Sequence, residues 1–378
     1  MESSRQYKIS SVITTPFTDQ NPGTSGLRKK VNHFRQKNYI ENFVQSIFLA
    51  HERADYENKS LVIGGDGRFY NNVAINIIIK ISAANGIKKL IVAENGIMST
   101  PAVSLLVRNQ PDGECFGAII LTASHNPGGE HEDLGIKFNN NAGAPAPESV
   151  TERMFKSSKE ITEYKTIDFD GIFSIKENSK FNVIIDNDNI REVTIEIEST
   201  TRLYLETMQK LFDFKKLQSL FDRSDFKFTF DAMHGASGPY AIEIFNKVLG
   251  VDLKNLHDCD SLEDFGGLHP DPNLVYAKKL VQIMDINKTN PDNSIVPDFG
   301  AACDGDADRN MILGKRFFIS PNDSVAIIAA NYNLIPNLSR EGGLKGVARS
   351  MPTSGALDRV ASKLGINVIF IYNISIVL

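Results

Sequence analysis

Between residues 61 and 124 the chain switches repeatedly between short unbroken apolar runs and longer stretches in which apolar positions recur every three or four residues. That alternation is expected of strands joined by crossover helices. LVIG (61–64) reads as a buried strand that ends in GDGR, and YNNVAINIIIKISAAN reads as a helix stopped by Gly86. KKLIVAEN is the next strand, TPAVSLLVRN the next helix, and GAIILTAS (117–124) a third strand, which completes a βαβαβ unit. Polar and acidic residues dominate roughly 156–202, with short strands such as FNVIID and no long core helix, so a domain boundary is expected at the end of that stretch.

A second series follows: one long helix over TRLYLETMQKLFDFKKLQSLF, a strand at KFTFDAM, a helix at GPYAIEIFNKVLG, a helix around NLVYAKKLVQIMDINK and a strand at FGAACDG. This repeats the first architecture. A third series begins at LKGVARSM (344–351), continues through the helix TSGALDRVASKLG, and reaches one more strand at INVIFIY. The fold class expected is α/β, with consecutive mixed domains over 1–202, 203–335 and 336–378, the last a partial one. A chain of 378 residues exceeds what one hydrophobic core usually supports, which agrees with several domains.

Composition narrows the function classes. With 41 basic against 46 acidic side chains the net charge is −5, which lacks the basic footprint needed to hold a phosphate backbone and argues against nucleic acid as a partner. Cys115, Cys259 and Cys303 lie far apart without CxxC spacing, so a disulfide framework is not expected and a reducing, cytoplasmic setting fits. No apolar run reaches the roughly 18 residues of a membrane span, so no transmembrane segment is expected.

Three segments carry candidate chemistry. TASHNPGG (122–129) follows a parallel strand at its C-terminal end, where ligands of open α/β sheets collect, and so delivers Ser124 to a reactive position; the alternative is an ordinary tight turn. Asp304-Gly-Asp-Ala-Asp-Arg309 puts three carboxylates at alternate positions after the strand FGAAC. Such crowding is unfavourable unless a cation offsets it, and hard oxygen ligands suit Mg²⁺ or Ca²⁺. An EF-hand is excluded because its sixth and twelfth loop positions, which need Gly and Glu, hold Arg309 and Lys315. GTSGLR (23–28) offers backbone N–H groups and an Arg fork that can hold phosphate, although on its own the segment reads first as a flexible N-terminal loop.

Together these pieces suggest phosphoryl transfer through an enzyme-bound phosphoserine, with Mg²⁺ held by Asp304, Asp306 and Asp308. His125 and Lys137 are the candidates for taking the acceptor's proton, or else are ordinary phosphate contacts.

Taken in order, PGTSGLRKKV, VIGGDGRFYNN, NGIMSTPAVS, AIILTASHNPGG, GIKFN, GAPAPE, FDAMHGASGPYA, FGGLHPDPN, DGDADRNMILGK and ARSMPTSGALDRV resemble the α-D-phosphohexomutase superfamily, and within it the eukaryotic type of phosphoglucomutase that includes the ciliate parafusins. The resemblance implies Ser124 as the phosphoserine, and Asp304, Asp306, Asp308 and the Ser124 phosphate as the Mg²⁺ shell. It also implies that Arg28, His125, Lys137 and Arg309 contact phosphate, sugar hydroxyls or transferring protons, and that Thr24, Ser25 and Asp308 line the substrate site. The implied reaction interconverts glucose 1-phosphate and glucose 6-phosphate through glucose 1,6-bisphosphate, in a fold of four domains around one cleft.

Two departures stand out. Ala307 replaces the usual Gly of the metal loop, which strains the backbone if that position has φ > 0. The match also stops within the third domain, so the resemblance leads to an expectation of impaired turnover. The alternative function is that of a non-catalytic, parafusin-like phosphoprotein or binding module involved in exocytosis, with peripheral vesicle association by analogy only.

Overall fold

In the computed structural model, residues 6–23, 25–111, 113–176, 179–185, 190–291 and 295–371 are described. The apolar runs of the first series become strands of one mixed sheet. These are β1 (Gln6–Tyr7), β3 (Leu27–Lys30), β4 (Ser60–Gly65), β5 (Lys89–Ala93), β6 (Cys115–Leu121), β7 (Asp133–Asn139), β9 (Lys180–Ile185) and β10 (Arg191–Glu198), with β2 (Ile9–Ile13) and β8 (Glu163–Ile167) pairing separately. Every residue of β4 and β6 is buried, which is why these two parallel strands read as continuous apolar runs. The spatial order is β1-β9-β10-β5-β4-β6-β7-β3, with β4 parallel to both β5 and β6.

Since β5 and β6 leave β4 on opposite sides, the sheet has a topological switch point at the C-terminal ends of β4 and β6. Helix Asn71–Asn85 ends on Gly86, whose φ of 112° gives the left-handed cap its sequence suggests. Helix Thr100–Arg108 opens with Ser99, whose hydroxyl accepts from Ala102 N at 3.3 Å, followed by Pro101 in the first turn.

The second series forms a five-stranded sheet of β11 (Phe228–Asp231), β12 (Leu256–His257), β13 (Phe299–Cys303), β14 (Asn310–Gly314) and β15 (Phe317–Ile319), in the order β12-β11-β13-β14-β15. Here β11 is parallel to β12 and β13 on its two sides, which creates a second switch point. The third series places β16 (Gly346–Arg349) parallel to β17 (Asn367–Phe370), joined by helix Ala356–Leu364. No helix among the described residues is long and apolar enough to cross a membrane.

Three local expectations are corrected. The single long helix over 201–221 is two, Arg202–Leu211 and Phe214–Phe221, because Asp213 caps the second by accepting from Lys216 N at 3.1 Å. The helix around NLVYAKKLVQIMDINK shrinks to Lys278–Ile283. There the Asn273 side chain accepts from Val275 N at 2.8 Å and Tyr276 N at 3.0 Å, holding the preceding backbone in a turn. The second sheet also does not copy the first, having five strands where the first has eight.

A buried apolar seam joins the two sheets' layers. Tyr240, from the helical segment after β11, lies among Met98, Val103, Leu106 and Ile120 of the first layer, with Leu203 and Tyr204 beside it. Its hydroxyl accepts from Ser99 N at 3.3 Å. Burial of this kind contributes about 25 cal/mol per Å² of apolar surface removed from water.

Candidate active site

The loops leaving both switch points meet. After β6 the chain turns at Ser124, a non-glycine residue at φ 55°, a conformation that costs roughly 1–2 kcal/mol and persists only when its surroundings impose it. The imposing contacts are visible. Ser124 N donates to Thr122 Oγ1 at 2.7 Å, and Thr122 Oγ1 donates to Asp66 Oδ2 at 2.5 Å. Arg68 Nη2 donates to the Ser124 carbonyl at 3.0 Å, and Arg68 Nη1 donates to the Asp133 carbonyl at 2.8 Å. Arg68 and Asp66 are both fully buried and paired at 2.9 Å. Phe265, which is fully buried on the second layer, lies 5.1 Å from the guanidinium.

After β13 the chain runs through Asp304–Arg309. Gly305 is required there by close approach, because a Cβ at that position would come within 2.6 Å of the Ser124 carbonyl oxygen. This approach brings Ser124 Oγ to 2.8 Å from Asp304 Oδ2, to which it donates. Asp304 Oδ1 accepts from the backbone N–H groups of Asp308 at 3.1 Å and Arg309 at 3.0 Å, while Arg309 Nε donates to Asp304 Oδ2 at 3.1 Å. Arg309 Nη2 also donates to Ser124 Oγ and to His125 Nδ1. With Nδ1 accepting, the neutral His125 ring carries its proton on Nε2.

The carboxylate oxygens of Asp304, Asp306 and Asp308 lie within 4.8 Å of one another. Asp304 and Asp306 are buried, and burial together with the neighbouring Asp306 and Asp308 charges pushes the Asp304 carboxyl well above the usual range. Asp306 Oδ1 is buried with no hydrogen-bond partner among the described residues. Three converging carboxylates and an unpartnered anionic oxygen fit a hard divalent cation such as Mg²⁺.

Arg28 projects from β3, opposite Gly135 of β7, within electrostatic reach of Asp306, Asp308 and Arg309, and its Nε is buried without a partner among the described residues. Burial lowers its affinity for the proton, as it does for His125, where Arg309 adds to the effect. Lys137 lies on β7 within reach of Asp308. Ser25 is half-buried in the turn before β3, and Thr24 lies outside the described residues. Sequence reasoning left Arg68, Thr100 and Phe265 without roles. The signal for Arg68 was an acid and a base, Asp66 and Arg68, placed two apart at the end of an apolar strand.

Ala307 has φ 58°, so the strain condition raised by the sequence is met. Because the loop holds this conformation through its own hydrogen bonds, the strain is present with or without a cation. Ala307→Gly is therefore expected to raise stability by about 0.5–1 kcal/mol with little change in cation affinity. Urea denaturation and a cation titration of the variant check both halves, and a destabilised variant would contradict the assignment of strain.

The fold and these side chains define an α/β protein with a polar, cation-compatible cleft between two facing switch points. Family models described as phosphoglucomutase/phosphomannomutase alpha/beta/alpha domain I and domain II match residues 19–165 and 202–316. Phosphoglucomutase-1 of Paramecium tetraurelia is 51% identical over 374 residues, covering 94% of this chain and 62% of that protein. The cytoplasmic phosphoglucomutase of Populus tremula is 49% identical over 364 residues, covering 95% of this chain and 61% of that protein. The crystal structure of the exocytosis-sensitive phosphoprotein pp63/parafusin, a phosphoglucomutase from Paramecium, in its open form, matches with a TM-score of 0.93 at 48% identity over 98% of this chain and 65% of that one. The chain belongs to the phosphoglucomutase/phosphomannomutase family of the α-D-phosphohexomutase superfamily. It spans about three fifths of the length of the curated relatives it matches.

Proposed function

We propose that this chain carries the phosphoryl-donor and cation half of a phosphoglucomutase site, acting on a hexose phosphate with Ser124 as the phosphoryl carrier. The observation that carries this reading is the hydrogen bond from Ser124 Oγ to Asp304 Oδ2 at 2.8 Å, which sets a hydroxyl against the three-carboxylate cluster. A hydroxyl of the sugar phosphate attacks phosphorus, the P–Oγ bond of phosphoserine breaks as the new P–O bond forms, and glucose 1,6-bisphosphate results. After reorientation the second phosphate returns to Ser124 and the isomeric monophosphate leaves.

Asp304, Asp306 and Asp308, with the Ser124 oxygen, would hold Mg²⁺, which supplies positive charge against the leaving phosphoryl group. Arg309, already seated on Ser124 Oγ, and Arg28 neutralise equatorial phosphoryl oxygens. His125, with Nδ1 taken by Arg309, presents an Nε2–H donor to a phosphate or hydroxyl oxygen, leaving Lys137 as the candidate to receive the acceptor's proton.

A second reading has one observation in its favour, the likeness to a protein described as an exocytosis-sensitive phosphoprotein. It takes Ser124 as a site of modification that partners or vesicle surfaces read. Incubation with glucose 1-phosphate, Mg²⁺ and a trace of glucose 1,6-bisphosphate, followed by ³¹P NMR, separates the readings. Slow conversion to glucose 6-phosphate, with exchange of phosphate between the bisphosphate and Ser124, is the expected result; release of inorganic phosphate alone makes the site hydrolytic, and a spectrum showing neither conversion nor exchange favours the second reading.

A further inference from the structure

Thr100 and Asp306 stand 206 positions apart in the sequence and meet across the two layers. The Thr100 hydroxyl donates to Asp306 Oδ2 at 2.6 Å, short for a neutral donor and typical of a charge-assisted bond. Thr100 N donates to the Asp306 carbonyl at 2.9 Å, so one residue fixes both the backbone and the side chain of its partner. Both residues are buried, at 7% and 1% exposure, and the other carboxylate oxygen, Asp306 Oδ1, has no partner among the described residues.

Thr100 itself is held firmly. It opens helix Thr100–Arg108, behind the Ser99 cap and ahead of Pro101, while Tyr240 of the second layer receives the Ser99 N–H. A carboxylate with one oxygen tied to a rigid helix start has one oxygen left to offer, and its rotation about χ2 is blocked by the loss of a buried hydrogen bond.

We infer that Thr100 is the positioning residue for the cation site: by holding Asp306 Oδ2 it presents Oδ1 to the ion, so that cation affinity depends on the seating of the first layer on the second. This rests on the reading of the three carboxylates as a cation site. It makes no use of Thr100 as a ligand, since the hydroxyl proton is already given to Asp306.

The test is a titration of the full chain with Mn²⁺, an oxygen-seeking stand-in for Mg²⁺, following free Mn²⁺ by electron paramagnetic resonance, so that no turnover is needed. Thr100→Val keeps the shape and removes the donor; it is expected to weaken Mn²⁺ binding about 10- to 100-fold. Thr100→Ser, which restores the donor, is expected to stay within about threefold of the parent chain. Thr100→Ala, run alongside in case the valine variant does not fold, is expected to weaken binding at least about threefold. Valine or alanine variants that bind like the parent overturn the inference, as does a serine variant as weak as valine. A parent chain that takes up no Mn²⁺ overturns the cation-site reading itself.

Discussion

Ser124→Ala is expected to lower phosphoryl transfer between glucose 1,6-bisphosphate and the protein by at least about 10⁴-fold, the scale on which removing a covalent nucleophile acts. The neighbouring hydroxyls cannot take over. Thr122 Oγ1 is committed to Asp66 at 2.5 Å and Thr100 Oγ1 to Asp306 at 2.6 Å, each as a donor to a buried carboxylate. Neither is free to lose its proton to an incoming phosphoryl group without leaving that carboxylate unpaired. The variant should remain folded, since Oγ is a small part of what holds the loop; the Ser124 backbone keeps its bonds to Thr122 and Arg68. Label transfer from ³²P-bisphosphate measures the effect, and a variant within tenfold of the parent would show that the phosphoryl carrier lies elsewhere.

The second large effect is structural. Arg68→Leu removes the cation from a fully buried pair and strips donors from the Ser124 and Asp133 carbonyls at once. Breaking one partner of a buried ion pair leaves an uncompensated charge, here Asp66, at a cost of about 3–5 kcal/mol. Removing both partners, as in Asp66→Leu with Arg68→Leu, should recover part of that loss because no buried charge remains. Urea denaturation compares the three proteins. A single variant within about 1 kcal/mol of the parent would mean that the pair is not what imposes the left-handed turn at Ser124.

Much of this was legible in the sequence, for physical reasons that differ by element. Strands β4 and β6 announce themselves because buried parallel strands need apolar side chains on both faces, and β13 does so through its buried Gly300–Ala302 centre. Ser124 and the three aspartates stand out because the residues that follow such strands face a crevice, and three crowded carboxylates have few structural uses. The split at Phe212 and Asp213 is hidden because apolar spacing continues across it, and only the cap hydrogen bond to Lys216 N shows the break.

In the sequence Arg68 is only the last residue of the GDGR that ends a strand, since its burial depends on Phe265 arriving from the second layer. In the sequence Thr100 reads only as the start of a helix, because its partner Asp306 is reached through tertiary structure alone. Local chemistry therefore points to the groups proposed to react, while the groups that hold them in place emerge from contacts across the cleft.

The most direct test of the central claim is intact-mass measurement with phosphopeptide mapping of the purified chain, before and after exposure to glucose 1,6-bisphosphate with Mg²⁺. The account predicts a single phosphate, located on Ser124 and exchangeable with the sugar phosphate. A folded chain that never carries phosphate at Ser124, or carries it there without exchange, would contradict it.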